Sequence, residues 1–232
     1  MSTPLRLRLF AHSWRSDWNH GNAHFLRGLA DELRGLGHEV RCYEPENGWS
    51  YANLLKEPQA EQSLSEFRTA FPELKCISYS PHNLKAFLDE ELRDADVVVV
   101  HEWNSPEVVS AVLAARKRYG FRALFHDTHH RAYTSPKEIG QFRIPEFDGV
   151  LAFGDAIRSI YLQAFQAQRA WTFHEAADTA RFQPCGNEQG SEVNWIGNWG
   201  DDERTRELQE YLVEPLVTLR LLKVAVYGVR YS

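Results

Sequence analysis

Short apolar runs of strand length alternate along this chain with longer segments whose apolar residues recur at helical spacing. In the segment 23–37, leucines recur every three or four residues, and Gly35 and Gly37 are typical of a helix end. Strands that alternate with helices predict βαβ units, and hence a doubly wound parallel sheet of the α/β class with helices on both faces. The predicted strands are 5–11, 38–45, 95–103, 121–127, 147–154 and 169–174. Further helices are predicted at 63–71 and 82–94, with the run 75–80 between them, and at 106–119 and 155–165.

The first predicted strand departs from this pattern. Arg6 and Arg8 alternate with leucines there, whereas a central strand of a parallel sheet is usually apolar on both faces. Only the run 9–11 has that apolar character. We therefore expect the residues before Leu9 to extend past the sheet.

The composition changes after Pro184. Residues 185–192 are polar and rich in glycine, which predicts a linker between a first domain at 1–184 and a second unit at 193–232. The second unit contains a predicted strand, a helix that Asp201 or Asp202 caps, and another strand. One βαβ unit of about forty residues buries too little surface to be stable alone. We therefore expect it to be the start of an incomplete α/β domain that further sequence or a partner completes.

Length, composition and charge exclude several classes of protein. With 232 residues, of which 43% are hydrophobic, the chain can form a large core. Its net charge of -6 argues against a nucleic-acid partner. Its three cysteines lie far apart, which is typical of a reducing compartment. The valine run at 97–100 is too short to span a bilayer. These features predict a cytoplasmic protein with peripheral membrane contact at most.

Candidate binding residues lie after the predicted strands, because ligands of open α/β sheets bind at the carboxyl ends of the strands. The long loop 12–25 holds a single glycine and lacks the G-x-G-x-x-G fingerprint, which argues against a nicotinamide cofactor. Gly21 and Asn22 precede a predicted helix, whose exposed N–H groups would suit a phosphate or a sugar hydroxyl. An ordinary polar loop with a glycine hinge is the alternative.

Three other loops carry candidates of the same kind. His101 and Glu102 follow the valine run, and His126 and Asp127 end the next strand. The three histidines and the aspartate at 126–130 match no specific spacing of metal ligands, so no metal site is predicted. A single general base or sugar-binding residue is favoured instead, and His126 is the best candidate for it. A solvated histidine-rich loop is the alternative. In the second unit, Gly197 and Asn198 are candidates to line a cleft.

Five local patterns occur in order and cover nearly the whole chain. They are LADELRGLGHEV at 29–40, ADVVVVHEW at 95–103, ALFHDTHH at 123–130, FHEAADTARFQP at 173–184 and VNWIGNWGDDERTRELQEYL at 193–212. Together they resemble the GT-B glycosyltransferases, in particular the family-4-like and spore-maturation-protein-like groups. The last two patterns resemble the exit from the family's first domain and the opening of its second. Asn198 stands where the family often has a basic residue.

This resemblance implies transfer of a sugar from a nucleotide-sugar donor, which is a substrate rather than a cofactor, to a small molecule or a glycan. It implies a retaining reaction with no essential metal, and a Rossmann-like first domain that binds the acceptor. The loop with Gly21 would approach the donor phosphates, His126 would contact the donor sugar, and His101 with Glu102 would border the acceptor cleft. The family's nucleotide-holding E-x7-E segment would fall after residue 232, so residues 193–232 would be the start of a truncated nucleotide-sugar-binding domain. By itself this chain would then lack most of a donor site, and its own transferase activity stays open.

Three other functions stay open from the sequence. The first is a non-catalytic module that binds a sugar or an acceptor. The second is a nucleotide-sugar epimerase with the same fold, and the third is a metal hydrolase that uses the residues at 126–130.

Overall fold

The structure, a computed structural model, describes residues 3–184, 186, 190–197, 199, 202–219 and 221–228. The chain divides into two compact units, Met1–Thr179 and Ala180–Ser232. Part of the predicted linker, residues 185 and 187–189, lies outside the described residues.

A parallel sheet of seven strands forms the first unit, in the order β3-β2-β1-β4-β5-β6-β7. Helices flank the sheet, which confirms the predicted doubly wound α/β class. The strands are β1 (Arg6–Phe10), β2 (Glu39–Pro45), β3 (Cys76–Tyr79), β4 (Val97–His101), β5 (Arg122–Asp127), β6 (Gly149–Ala152) and β7 (Ala170–Thr172).

Helices connect these strands. They are α1 (Ala23–Gly35), α2 (Trp49–Leu54), α3 (Ala60–Ala70), α4 (Leu84–Glu91), α5 (Pro106–Tyr119), α6 (Arg131–Thr134), α7 (Pro136–Ile139) and α8 (Asp155–Gln163). Of these, α1, α3, α4, α5 and α8 fall close to the predicted segments, whereas α2, α6 and α7 were not predicted. Helix α1 ends where the glycines predicted it. Gly37 after the helix has φ +90°, a conformation that glycine adopts without strain. None of the described helices is long and apolar enough to cross a membrane.

Strand β1 differs from the expectation that its first residues extend past the sheet. Arg6 pairs with Glu39 of β2, and Leu7 pairs with both β2 and β4, so the strand is central from its start. Arg8 is fully buried, and its guanidinium contacts Asp94 and Glu39, each at 3.1 Å. The prediction was wrong because carboxylates that are distant in sequence neutralise a buried arginine.

Alternate residues of the strands supply a core on each face of the sheet. Phe10, Val98 and Val100 belong to one buried cluster, whereas Leu7 and Leu9 belong to the other. This alternation follows from the period of two in a strand. Both faces are therefore covered, as expected for a parallel sheet.

The polar segment 128–140, which follows β5, contains α6 and α7. Ala132 of α6 and Ile139 of α7 are buried in the first of the two clusters. The segment folds as short helical turns because these two apolar side chains pack onto the core.

The second unit contains a two-stranded parallel sheet made of β8 (Val193–Ile196) and β9 (Val224–Tyr227). Between them, α9 (Asp202–Leu208), a π-helical turn (Gln209–Val213) and α10 (Glu214–Thr218) follow one another without a break. Asp201, one of the two predicted caps of this helix, lies outside the described residues. The assignment of this unit to a nucleotide-sugar-binding domain stays a prediction.

Candidate functional site

The candidate site lies at the carboxyl edge of the seven-stranded sheet. The chain runs outward from β1 through β2 to β3 on one side, and from β4 to β7 on the other, so β1 and β4 flank the topological switch point. Ligands of doubly wound sheets bind in the crevice at that point. His101 ends β4, while His126 and Asp127 end the neighbouring β5, with His101 directly opposite His126 in the register.

Four histidines meet at this edge, and we call His12, His20, His101 and His126 the histidine cluster. The ring centroids of His12 and His20 are 3.9 Å apart, those of His12 and His101 are 6.0 Å apart, and those of His101 and His126 are 5.3 Å apart. His12 follows β1 and His20 lies in the long loop before α1. The fold thus brings together residues from the loops on both sides of the switch point.

The imidazoles of the histidine cluster are neutral near neutral pH. Burial lowers the pKa of His12 and of His126 to about 4, and that of His20 to about 2. Burial also lowers the pKa of His101 well below its usual value, and the neighbouring histidines add to this shift. A neutral imidazole offers one donor and one acceptor nitrogen but no charge. The histidine cluster is therefore suited to bind hydroxyl groups rather than to attract a diphosphate.

The hydrogen bonds of His101 assign its tautomer. Its Nδ1 accepts the backbone N–H of Trp103 at 3.3 Å, and its Nε2 lies 3.2 Å from Oγ1 of Thr128. The Thr128 hydroxyl has one proton and donates it to Oε1 of Glu102 at 3.3 Å. Nε2 of His101 must then carry the proton and donate to Thr128. His101 is therefore fixed as a neutral ring with no nitrogen left for a ligand.

The other three histidines keep a nitrogen available. Nδ1 of His12, Nε2 of His20 and Nε2 of His126 are buried and have no hydrogen-bond partner within the described residues. The rings of Phe25 and Phe173 lie 5.9 and 5.6 Å from that of His126 and shield it from solvent. A buried polar atom without a partner costs free energy, so each such nitrogen would gain from a ligand hydroxyl.

Thr128 connects the loop before α1 to the ends of β4 and β5. Its hydroxyl accepts a hydrogen bond from the Asn22 side-chain amide, and its backbone N–H donates to Oε1 of Glu102 at 3.0 Å. Asn22 stands at the N-cap of α1 but makes no side-chain cap hydrogen bond. Gly21 beside it is exposed, and a Cβ there would meet nothing within 4 Å. Neither crowding nor a positive φ therefore requires a glycine at position 21.

Glu102 and Asp127 form a buried acid pair behind the histidine cluster. Both side chains are fully buried, and Asp127 accepts hydrogen bonds from the Tyr161 hydroxyl and from the His129 backbone N–H. Burial raises the pKa of Glu102, and the nearby Asp127 raises it further. Arg131 lies 3.3 Å from Oε2 of Glu102 and opposes this shift without reversing it. Glu102 therefore keeps its proton to a higher pH than an exposed glutamate would.

We predict that Glu102→Gln gains stability relative to wild type as pH rises. Above the ordinary glutamate pKa of 4.5, the unfolded chain releases a proton that the folded protein keeps. The folded state then binds more protons, so the free energy of unfolding falls as pH rises, by at most about 1.4 kcal/mol per pH unit for this group. Glutamine has no proton to release, so this contribution disappears.

Urea unfolding at about pH 5, 6, 7 and 8 measures this contribution. Relative to wild type, Glu102→Gln should become more stable with each step in pH. Glu138→Gln is the matched control, since Glu138 also pairs with Arg131 but its side chain is 58% exposed. A difference between Glu102→Gln and wild type that stays constant across this range would contradict the raised pKa.

A second buried carboxylate fixes the loop that follows β1. Glu44 at the end of β2 is fully buried and accepts hydrogen bonds from the Ser13 hydroxyl, from the backbone N–H groups of Trp14 and Arg15, and from the Arg15 guanidinium. Further along, the Trp18 indole donates to Glu57 at 2.8 Å. The loop that carries His12 and His20 is therefore held at several points.

The structure brings most of the predicted site residues together. Gly21, Asn22, His101, Glu102, His126 and Asp127 all lie at or beside the carboxyl edge of the first unit's sheet. Gly197 lies in the second unit, directly after β8, and its N–H donates to Tyr227 O at 2.9 Å. Asn198 lies outside the described residues.

Sequence reasoning missed three residues of this edge: His12, His20 and Thr128. The position of His12 directly after the first strand was a usable signal, whereas nothing in the sequence marked His20 or Thr128. Among the described residues, no group of three or more His, Cys, Asp or Glu side chains is arranged to hold a metal ion.

Comparisons with solved structures identify the fold. The chain is similar to an α-glucosyltransferase in complex with UDP and a 13-mer DNA containing an HMU base, with a TM-score of 0.64 at 12% identity over 99% of this chain and 58% of that one. It is also similar to S. aureus MnaA bound to UDP, with a TM-score of 0.57 at 12% identity over 96% of this chain and 61% of that one. No family model and no curated protein matches the chain.

These similarities show that the chain has the GT-B glycosyltransferase fold. Identities of 12% show the fold alone, because one fold hosts many functions. The chain spans 58% and 61% of the lengths of these two structures.

Proposed function

We propose that the chain belongs to a glycosyltransferase that transfers a sugar from a nucleotide-sugar donor to a hydroxyl of an acceptor. The observation that carries the proposal is Nε2 of His126, which is buried at the carboxyl edge of β5 and has no hydrogen-bond partner among the described residues. A sugar presents hydroxyl groups that need hydrogen-bond partners in a site that excludes water. Since His126 is neutral, it can bind such a hydroxyl without repelling the positive charge that develops on the transferring sugar.

For the other residues we propose the roles that the family resemblance implies. The N-terminus of α1, with Gly21 and Asn22 before it, would approach the donor diphosphate, because a helix N-terminus favours anions. His101 and Glu102 would border the acceptor. Gly197 and Asn198 would line the donor side. The reaction would retain configuration and need no metal.

In the transfer, the bond between the anomeric carbon and the diphosphate oxygen breaks, and a bond from that carbon to the acceptor oxygen forms. The proton of the acceptor hydroxyl leaves with the nucleoside diphosphate. Two of the similar structures contain UDP, which favours a UDP-sugar as donor. For the acceptor we propose a small molecule or a glycan rather than the DNA present in one of these structures, since a net charge of -6 disfavours a polyanion.

A turnover assay tests this function. The purified protein is incubated with UDP-glucose, UDP-N-acetylglucosamine or GDP-mannose, with and without a mixture of neutral oligosaccharides. We expect release of nucleoside diphosphate that increases with the oligosaccharides, together with a product one sugar heavier. Absence of both would contradict the proposal, and binding of a saccharide without turnover would identify a non-catalytic module instead.

A further inference from the structure

A small cavity opens on the α5 and α7 side of the carboxyl edge, and we call it the Trp103 pocket. Its volume is about 240 Å³. Pockets for drug-sized ligands measure about 300–1,000 Å³, so this one fits a single ring of a small polar molecule. Its lining residues include Glu102, Trp103, Asn104, Arg131, Glu138 and Gln141.

Trp103 offers an ordered aromatic surface in this pocket. Its side chain is 44% exposed, and the Arg131 guanidinium carbon lies 4.2 Å from its ring centroid. Arg131 is held in turn by Glu102 at 3.3 Å and Glu138 at 2.9 Å. An exposed indole that is already fixed in place suits the C–H face of a sugar ring. Binding then buries apolar area of both rings, and the tryptophan side chain loses little further conformational entropy.

Asn104 supplies a buried acceptor atom that lacks a partner. The residue is 5% exposed, and its amide nitrogen donates to the carbonyl oxygens of Phe10 at 2.9 Å and of His101 at 2.8 Å. These two hydrogen bonds fix the orientation of the amide. Oδ1 is buried and has no partner within the described part of the chain. A carbonyl oxygen of this kind requires a donor such as a hydroxyl.

The charges around the pocket favour a neutral ligand. The positive charge of Arg131 is already compensated by the carboxylate of Glu138. A phosphate or carboxylate ligand would have to displace Glu138 from Arg131, and a cation would meet Arg131 itself. Hydroxyl groups meet neither obstacle, and Gln141 adds a side-chain amide at the rim.

We propose that the Trp103 pocket binds one neutral saccharide ring, and that this ring is the part of the acceptor that the protein recognises. The role in acceptor recognition rests on the proposed function, whereas the binding of a saccharide ring does not. The rings of Trp103 and His12 form a T-shaped pair with centroids 6.4 Å apart, so the pocket adjoins the histidine cluster. A saccharide that starts in the pocket could therefore extend a hydroxyl towards the histidines.

Binding measurements test the pocket directly. Saturation-transfer NMR titrations use the wild-type protein with glucose, N-acetylglucosamine, maltose and, as a charged comparison, glucuronate. We expect the neutral saccharides to bind and glucuronate to bind more weakly. Trp103→Ala should raise Kd for a neutral saccharide about tenfold or more, and Trp103→Phe only two- to threefold, because phenylalanine keeps the platform.

Tyr133→Ala is the matched control, since Tyr133 is a neighbouring aromatic residue that is 74% exposed and does not line the pocket. It should leave Kd unchanged, and thermal unfolding of each variant confirms that it is folded. Absence of binding by every neutral saccharide, or an equal loss in Trp103→Ala and Tyr133→Ala, would overturn the proposal.

These experiments distinguish an error in the proposed pocket from an error in the proposed function. Saccharide binding that Trp103→Ala abolishes, without any nucleotide-sugar turnover, would support the pocket and contradict the transferase. Turnover whose KM for the saccharide is the same in wild type and in Trp103→Ala would support the transferase and overturn the pocket.

Discussion

Glu44→Ala is expected to destabilise the protein by about 3–5 kcal/mol, because it leaves several hydrogen-bond donors of the loop without their acceptor. Glu44 is fully buried, and its carboxylate receives the Ser13 hydroxyl, two backbone N–H groups and the Arg15 guanidinium. Ser13 and Trp14 are 1% exposed, so water cannot replace the carboxylate without a rearrangement of the loop. The loop that carries His12 and His20 should therefore lose its fixed conformation.

Urea unfolding measures the loss of stability, and amide hydrogen exchange at Trp14 and Arg15 measures the opening of the loop. Glu46→Ala is the matched control, because Glu46 lies two residues further on and is exposed. The control should change the free energy of unfolding by less than about 0.5 kcal/mol. Equal stability of the two variants would show that Glu44 does not anchor the loop.

Most of the sheet could be predicted because most of its strands contain short apolar runs. The valine run of β4 and the glycine-terminated helix α1 needed only local sequence to be recognised. Arg8 of β1 could not be interpreted in this way, because Glu39 and Asp94, which neutralise it, are brought near only by the fold. When residues distant in sequence neutralise a buried charge, the hydrophobic pattern predicts that the charged residue is exposed although it is buried.

The site was predicted where it follows a topological rule and missed where it depends on packing. His101 and His126 end strands, so the rule that ligands bind at the carboxyl ends located both. His20 reaches the same edge only through the path of a loop whose anchor, Glu44, lies on β2. Glu44 itself looks like an ordinary strand residue in the sequence, and only its complete burial reveals its part in the site.

The two buried glutamates at this edge show that one residue type can serve two purposes. Glu44 receives four hydrogen-bond donors, one of them a guanidinium, and so anchors the loop. Glu102 lies beside a second acid, which favours its protonated form. The first arrangement fixes the loop with His12, and the second keeps charge low behind His101. Together, the two arrangements keep the imidazoles of the histidine cluster ordered and neutral.

The largest effect on activity is expected at His126, because it has a buried nitrogen for which the described residues provide no partner. His126→Leu should lower kcat/KM for the nucleotide-sugar about 100- to 1,000-fold, the range found when one preorganised hydrogen-bond donor is removed from an active site. His126→Gln should retain much more activity, since the glutamine amide can place a nitrogen close to the position of Nε2.

Leucine and glutamine are similar in size, so this pair of variants separates hydrogen bonding from packing. Turnover of the nucleotide-sugar is measured beside the free energy of unfolding of both variants. Glutamine, which is polar, should be no more stable than leucine among the rings of Phe25 and Phe173. Higher activity in His126→Gln would therefore come from its hydrogen bond and not from a better fold. If both variants lost activity equally, the ring of His126 would act through its shape, and its role as a hydroxyl partner of the donor sugar would be contradicted.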